Sequence, residues 1–221
     1  MPPPTTSHRT ASGSIAPAYF AALFDGEVDP WGFDTSSYEA AKYAATLAAL
    51  PHARYRRALE IGCANGALTE RLALRCDALT ALDVAPAALA RARARVGELS
   101  HVAVRRAAVP EETPAGPFDL VVLSEVGYYL SRPDLEALRD RLGAATAPGG
   151  HLVLAHWTGE TDYPLTADAV HDAFAFDDAW RVVSFGGEAA YRLDVLARAG
   201  APSGGASGGG ASSARAPGEA P

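Results

Sequence analysis

At 221 residues, 48% of them apolar and 20% charged, the chain has material for one sizeable core and lacks the composition of a disordered or fibrous protein. A formal net charge of -7, with arginines scattered through helical segments and not massed in one block, disfavours nucleic acid and leaves a small-molecule substrate as the expected partner. Two cysteines, Cys63 and Cys76, without metal-pair spacing, point to no disulfide framework and to a reducing compartment, so a cytoplasmic location is expected. The chain is taken to be a monomer or weak homodimer.

Residues 1–14 are rich in Pro, Thr and Ser without a basic start and apolar run, which reads as a loose, disordered tail and not as a secretory signal. No stretch is long and apolar enough to span a bilayer, so no membrane insertion is expected. Helical spacing then marks residues 16–24 and 36–50, the latter through Tyr43, Leu47 and Leu50. Short apolar runs at 58–61, 79–83, 102–105, 120–124 and 152–155 read as buried strands, and their brevity favours a parallel sheet. Between them, residues 67–75, 86–96 and 133–145 look helical, the last two opening on Pro86 and Pro133. Strand and helix therefore alternate, the mark of an α/β domain, here expected over residues 15–199. Residues 181–185 and 191–196 are strand-like runs joined through Gly186 and Gly187, a plausible antiparallel C-terminal hairpin. Residues 200–221, almost entirely Gly, Ala, Ser and Pro, are expected to be disordered.

The most informative segment is Leu59-Glu60-Ile61-Gly62-Cys63-Ala64-Asn65-Gly66, where a strand runs into a glycine loop that opens a helix. Gly62 lets the backbone approach a ligand with no Cβ in the way, and Gly66 lets the helix start pack closely. The spacing is not the dinucleotide G-x-G-x-x-G; it is an acid followed by G-x-G-x-G with Ala64 in the middle place, which makes a pyrophosphate-cradling loop and a nicotinamide oxidoreductase less fitting. About twenty residues after Gly62 stands Asp83, at the end of the second strand, where an acid in this fold accepts from both hydroxyls of a ribose. The lesser alternative is that Glu60 and Asp83 are helix caps or residues of a solvated sheet edge, against which their shared placement at strand ends argues.

With these segments in hand, the chain resembles the class I S-adenosylmethionine (SAM)-dependent methyltransferases and, within them, the nodulation protein S (NodS) family. The likeness runs from about residue 19 to 196 and rests on Asp29-Pro30-Trp31-Gly32-Phe33, Tyr38-Glu39-Ala40-Ala41-Lys42-Tyr43, the Glu60 to Gly66 loop, the run Leu123-Ser124-Glu125-Val126-Gly127-Tyr128-Tyr129-Leu130, and Thr161-Asp162-Tyr163-Pro164-Leu165. The resemblance implies a Rossmann-like, mostly parallel sheet ending in an antiparallel hairpin. It also implies SAM as cofactor and N-methylation of the free amine of a deacetylated chitooligosaccharide or related amino sugar. By position, Glu60 and Gly62 meet the methionine part of SAM and Asp83 holds the ribose. Cys63, Ala64 and Gly66 in the loop, Val84 after the second strand, Ser124 after the fourth, and Trp31 as a lid complete the expected cofactor contacts. One departure stands out: Arg106-Ala107-Ala108-Val109-Pro110 offers no acid where many class I enzymes hold the adenine amino group.

Ligands in an open α/β sheet sit beyond the carboxyl ends of the strands, which selects Ser124 and Glu125 after the fourth strand and His156 and Trp157 after the fifth. Glu125 is the candidate for binding the substrate ammonium and His156, whose ordinary pKa is near neutral, the candidate proton acceptor, with exchange of roles open. The alternatives are an ion-paired Glu125 and a hydrogen-bonded structural His156. Tyr128 and Tyr129 either stack on a sugar or cofactor or belong to the core; Tyr129 is taken as the third catalytic candidate. His101, His151, His171 and Asp162 show no ligand spacing, and no metal is expected. The competing functions are a small-molecule O- or N-methyltransferase with a non-sugar acceptor and a SAM-binding module without catalysis.

Overall fold

Capping residues set the helices. In the computed structural model, which describes residues 8–200, Ser36, Ser131 and Thr166 each accept a backbone N–H three residues on, from Glu39, Asp134 and Ala169, and so start α2 (Ser37–Ala48), α5 (Arg132–Ala145) and α6 (Ala167–Ala175). Proline in the first turn, where no N–H is needed, opens α1 (Pro17–Gly26) and α4 (Pro86–Val96). Gly66 caps α3 (Ala67–Ala73).

The strands β1 (Ala58–Ile61), β2 (Leu79–Asp83), β3 (Val102–Arg106), β4 (Phe118–Ser124), β5 (Thr146–Trp157), β6 (Trp180–Glu188) and β7 (Tyr191–Arg198) form one sheet in the order β3-β2-β1-β4-β5-β7-β6. The first five are parallel; β7 runs antiparallel between β5 and β6. Leu59, Leu123 and Leu154 pack on one face with Leu135, Leu138 and Phe174 of α5 and α6, and Leu120, Val122 and Val153 pack on the other with Tyr43 and Leu72 of α2 and α3. Burial on both faces is why these strands read as unbroken apolar runs, and each fully buried leucine contributes roughly 1.5–3 kcal/mol. The strand order reverses between β1 and β4, and the crevice beyond their carboxyl ends is where this architecture binds ligands.

Three expectations change. Gly186 and Gly187 lie inside β6, and the hairpin turns at Ala189 and Ala190, because Glu188 pairs with Tyr191. Gly187, at φ +131°, is needed there for a different reason: a Cβ would come within 2.1 Å of the Tyr191 carbonyl oxygen. Helix α6 was not anticipated. Part of the segment expected to be a loose tail, residues 8–14, is instead packed. Arg9 bridges Ile15, the Ile15 amide donates to the Tyr129 carbonyl at 2.8 Å, Arg9 donates to the Asp162 carbonyl at 2.9 Å, and buried Ser14 donates to Asp134, so residues 8–14 are part of the fold. Residues 1–7 and 201–221, expected to be disordered, lie outside the described residues. Among the described residues, no helix is long and apolar enough to cross a membrane, and no group of three or more His, Cys, Asp or Glu could hold a metal ion.

Candidate functional site

Past Ile61 the chain turns through Gly62 at φ +87°, where a Cβ would lie 2.2 Å from Val126 Cγ2, so only glycine fits. The Gly62 and Cys63 amides donate to the Leu82 carbonyl at 2.8 and 2.9 Å, tying the loop to β2. Ala64 follows at φ +45°, a left-handed conformation that costs an L-residue roughly 1–2 kcal/mol, and its amide donates to Asp83 Oδ2 at 2.9 Å. Gly66, at φ +84°, starts α3 so close to α4 that a Cβ there would lie 3.0 Å from Ala92 Cα.

Asp83 Oδ1 accepts the Ala85 amide at 2.9 Å. Burial pushes its carboxyl pKa up, and the amide hydrogen bonds offset that only in part. Each oxygen keeps a lone pair for a further donor. Asp83 faces a cavity of about 640 Å³ that also meets Gly62, Ala64, Val84 and Ser124. Trp31 forms part of its wall, packed on Phe24 and Phe33 at ring-centroid distances of 5.4 and 5.6 Å. The Asp29 carboxylate fixes that loop by accepting the Phe33 and Asp34 amides at 2.8 and 3.0 Å.

Not every expected cofactor residue reaches the cavity. Ile61 turns to it, so its strand neighbour Glu60 turns away, fully buried near Thr69, where burial pushes its pKa up to about 7. The Cys63 thiol packs against Ala81, Leu89 and Ala92 and is held neutral by burial, so Cys63 offers backbone alone; Gly66 caps a helix behind the wall. On the side lacking an acid at Ala108, the Ala108 amide donates to Glu112 Oε2 at 2.7 Å, and exposed Glu111 faces the cavity.

At the other end Glu125 follows β4 at φ +56°, its amide held by the Ala155 carbonyl at 2.9 Å. Its carboxylate lies in the cavity wall: Oε1 accepts from Lys42 Nζ at 2.5 Å, and Oε2 accepts from the Trp157 amide at 3.1 Å and from the Tyr128 hydroxyl. Tyr129 and Tyr163 stand beside it, with ring centroids 4.7 Å apart, and Phe20 packs on Tyr129 at 4.8 Å. Tyr128, by contrast, is both core and ligand to Glu125.

His156 is not where the expected proton acceptor needs to be. It is fully buried and absent from the cavity wall, with Nε2 accepting the Gly127 amide at 3.0 Å and Nδ1 3.1 Å from His171 Nε2. His171 Nδ1 in turn meets Asp194 Oδ2 at 2.8 Å, and Arg192 closes the chain on Asp194 at 2.9 Å. This is the structural role left open for it. Burial, then the neighbouring His171, push the His156 pKa well down, so it stays neutral.

Sequence reasoning quoted Lys42 within a motif but gave it no role. The signal was present: 18 of the 19 basic residues are Arg, and Lys42 is the one Lys, placed three residues after Glu39. Thr10, Ser12 and Ser14 also reach the cavity, from a segment expected to be loose.

Comparison with known proteins bears on this site directly. A family profile for nodulation protein S (NodS) matches residues 24–153, more than half of the chain. The chain belongs to the NodS family. Nodulation protein S of Sinorhizobium fredii is 41% identical over 129 residues, 57% of this chain and 59% of that protein, and the Rhizobium tropici protein of the same name is 40% identical over 129 residues, 57% of this chain and 53% of its own length. The match thus spans somewhat over half the length of these curated relatives. The crystal structure of N-methyltransferase NodS from Bradyrhizobium japonicum WM9 in complex with S-adenosyl-L-homocysteine (SAH) superposes with a TM-score of 0.72 at 27% identity, covering 82% of this chain and 98% of that one. The fold is that of the class I methyltransferases, with the antiparallel C-terminal strands expected of it. The NodS-matched segment carries Trp31, Lys42, Asp83, Glu125 and Tyr129, so both ends of the cavity lie within it.

Proposed function

We propose that this NodS-family chain is a SAM-dependent N-methyltransferase whose acceptor is the free amine of a deacetylated chitooligosaccharide or related amino sugar. The observation that carries this reading is the Glu125 carboxylate in the wall of the same cavity that Gly62, Ala64 and Asp83 border. The residues present suit the cofactor. The volume lies within the roughly 300–1,000 Å³ of small-molecule sites, Gly62 leaves the backbone bare, and Asp83 keeps acceptor sites for two ribose hydroxyls. When bound, SAM supplies an electrophilic methyl group on a sulfonium, and the amine that accepts it gives up a proton.

The chain's own task is to receive that amine, orient its lone pair and take up charge. Glu125 does the first as a fixed carboxylate, and with His156 walled off it is also the group that accepts the amine's proton on the way to solvent. Tyr129 and Tyr163 offer flat apolar faces with polar rims, which suit the C–H face of a sugar ring beside the amine. The two buried free thiols, Cys63 and Cys76, suit the reducing cytoplasm in which we place the enzyme as a monomer or weak homodimer.

Mass spectrometry of glucosamine tetramers, with and without N-acetylation of the non-reducing end, after incubation with protein and SAM tests this. A methyl mass shift confined to the free-amine form is expected. Binding of SAM without a shift on either form overturns the amino-sugar acceptor, and a non-sugar amine or hydroxyl panel then takes its place.

A further inference from the structure

We propose that Lys42 is the positioning residue of this site: the single lysine of the chain pins the Glu125 carboxylate in one orientation, where the acceptor amine is received. The inference rests on the reading of Glu125 given above and assigns the element that makes it work.

Lys42 is 2% exposed, yet no apolar role explains it, since its Nζ meets Glu39 Oε1 at 2.9 Å and Glu125 Oε1 at 2.5 Å and lies 5.1 Å from the Tyr38 ring centroid. A buried ammonium and two carboxylates leave the cluster with one net negative charge, that of a receptor for one ammonium. The groups facing Glu125 are Tyr38, Glu39, Lys42 and Tyr43 from α2, Tyr128 and Tyr129 after β4, the Trp157 amide at the end of β5, and Tyr163 before α6. Burial pushes the hydroxyl pKa of all five of these tyrosines up, so they stay neutral, and His156 behind them is neutral too. Lys42 is therefore the cation in this group.

The residue type fits the geometry. Everywhere else the chain's basic residue is arginine, but here two carboxylates from different elements converge on one point. A compact ammonium serves both, whereas a planar guanidinium fork needs more room and different angles. Glu39 and Lys42 one turn apart on α2, and Glu125 just past the end of β4, also couple the helix that borders the site to the strand end that leads to the amine-binding carboxylate.

The test is kcat and KM, measured separately, for glucosamine tetramer with SAM in Lys42→Met, in the double variant Glu39→Gln/Lys42→Met, and in Glu125→Gln. The double variant keeps the net charge of the cluster and removes the buried unpaired Glu39, so it is expected to fold even where Lys42→Met alone does not. Its kcat/KM at pH 7 should fall ten- to a hundredfold, with KM for the tetramer rising as well as kcat falling, because Glu125 is no longer held where the amine is received. A double variant within twofold of wild type in kcat/KM, with KM for the tetramer unchanged, overturns the inference and reduces Lys42 to a partner of Glu39. An active Glu125→Gln instead overturns the reading of Glu125 itself.

A second readout does not depend on the acceptor. With one lysine in the sequence, Lys-selective 13Cε labelling yields one side-chain signal, which should move on Glu125→Gln. A signal that stays put contradicts the pairing whatever the enzyme methylates.

Discussion

The Ala64 amide donates to Asp83 Oδ2 at 2.9 Å, a side-chain tie between the glycine loop and the end of β2 beside the two backbone bonds to the Leu82 carbonyl. The acid expected to hold a ribose thus also holds the loop that borders the cofactor's place, with the Ala85 amide on its other oxygen. Asp83→Asn keeps the shape but turns an NH2 group toward one of those two N–H donors. SAH affinity should fall at least tenfold, corresponding to ~1.4 kcal/mol or more, with a lower unfolding midpoint. Calorimetric titration with SAH checks this; unchanged affinity would remove Asp83 from the cofactor site.

The same loop contains two opposite substitutions. Gly62→Ala brings a Cβ within 2.2 Å of Val126 Cγ2 at φ +87° and should destabilise the protein by about 2 kcal/mol while abolishing measurable SAH binding. Ala64→Gly relieves a left-handed alanine at φ +45°; the relief of roughly 1–2 kcal/mol is partly offset by about 0.4–1 kcal/mol of added chain entropy, so stability should rise slightly or hold. Urea unfolding of the pair reads both signs.

Glu60 gives a pH dependence of stability. Its folded-state pKa is raised, to about 7 from an ordinary 4.5, so the native state binds the extra proton between those values. Stability contributed by the protonated, buried carboxyl is therefore present at low pH and lost as pH rises from about 4.5 to 7, an effect of order 3 kcal/mol at full size. Glu60→Gln should flatten that slope and raise the unfolding midpoint at pH 8 relative to wild type. Thermal unfolding at pH 5 and pH 8 measures it, and an unaltered slope would mean that Glu60 is charged in the fold.

His156 acts on stability in the opposite sense. Its folded pKa lies below the ordinary value, so the native state binds fewer protons and stability falls as pH drops through the unfolded value near 6.5. His156→Gln should lower the unfolding midpoint, through loss of the contacts to Gly127 and His171, and leave the position of the pH limbs of kcat/KM unchanged. A displaced limb would restore His156 to proton transfer.

The sequence made the sheet legible because β1, β2 and β4 are buried on both faces and read as apolar runs bounded by glycine and proline. The loop was legible because glycine at 62 and 66 is demanded by backbone conformation. Orientation was not. Whether Glu60 or Ile61 faces the cavity depends on the two-residue period of β1 relative to a face that only the assembled sheet defines. His156 was misplaced for a related reason: it pairs with Arg192 in register, so its side chain joins Arg192 and Asp194 on the face covered by α6, a helix not anticipated even though Thr166, Ala167, Val170 and Phe174 carry a cap and an apolar stripe. The packing of residues 8–15 came from contacts to Tyr129, Ser131, Asp134 and Asp162, more than a hundred residues away, which local composition does not encode.

The most direct measurement of the central claim is SAH release by wild type and Glu125→Gln, side by side, with SAM and glucosamine tetramer carrying a free non-reducing-end amine. The account predicts amine-dependent release by wild type, at least a hundredfold lower kcat/KM in Glu125→Gln, and SAH affinity equal in the two. Wild-type release that is indifferent to the amine, or a Glu125→Gln enzyme as active as wild type, would contradict it.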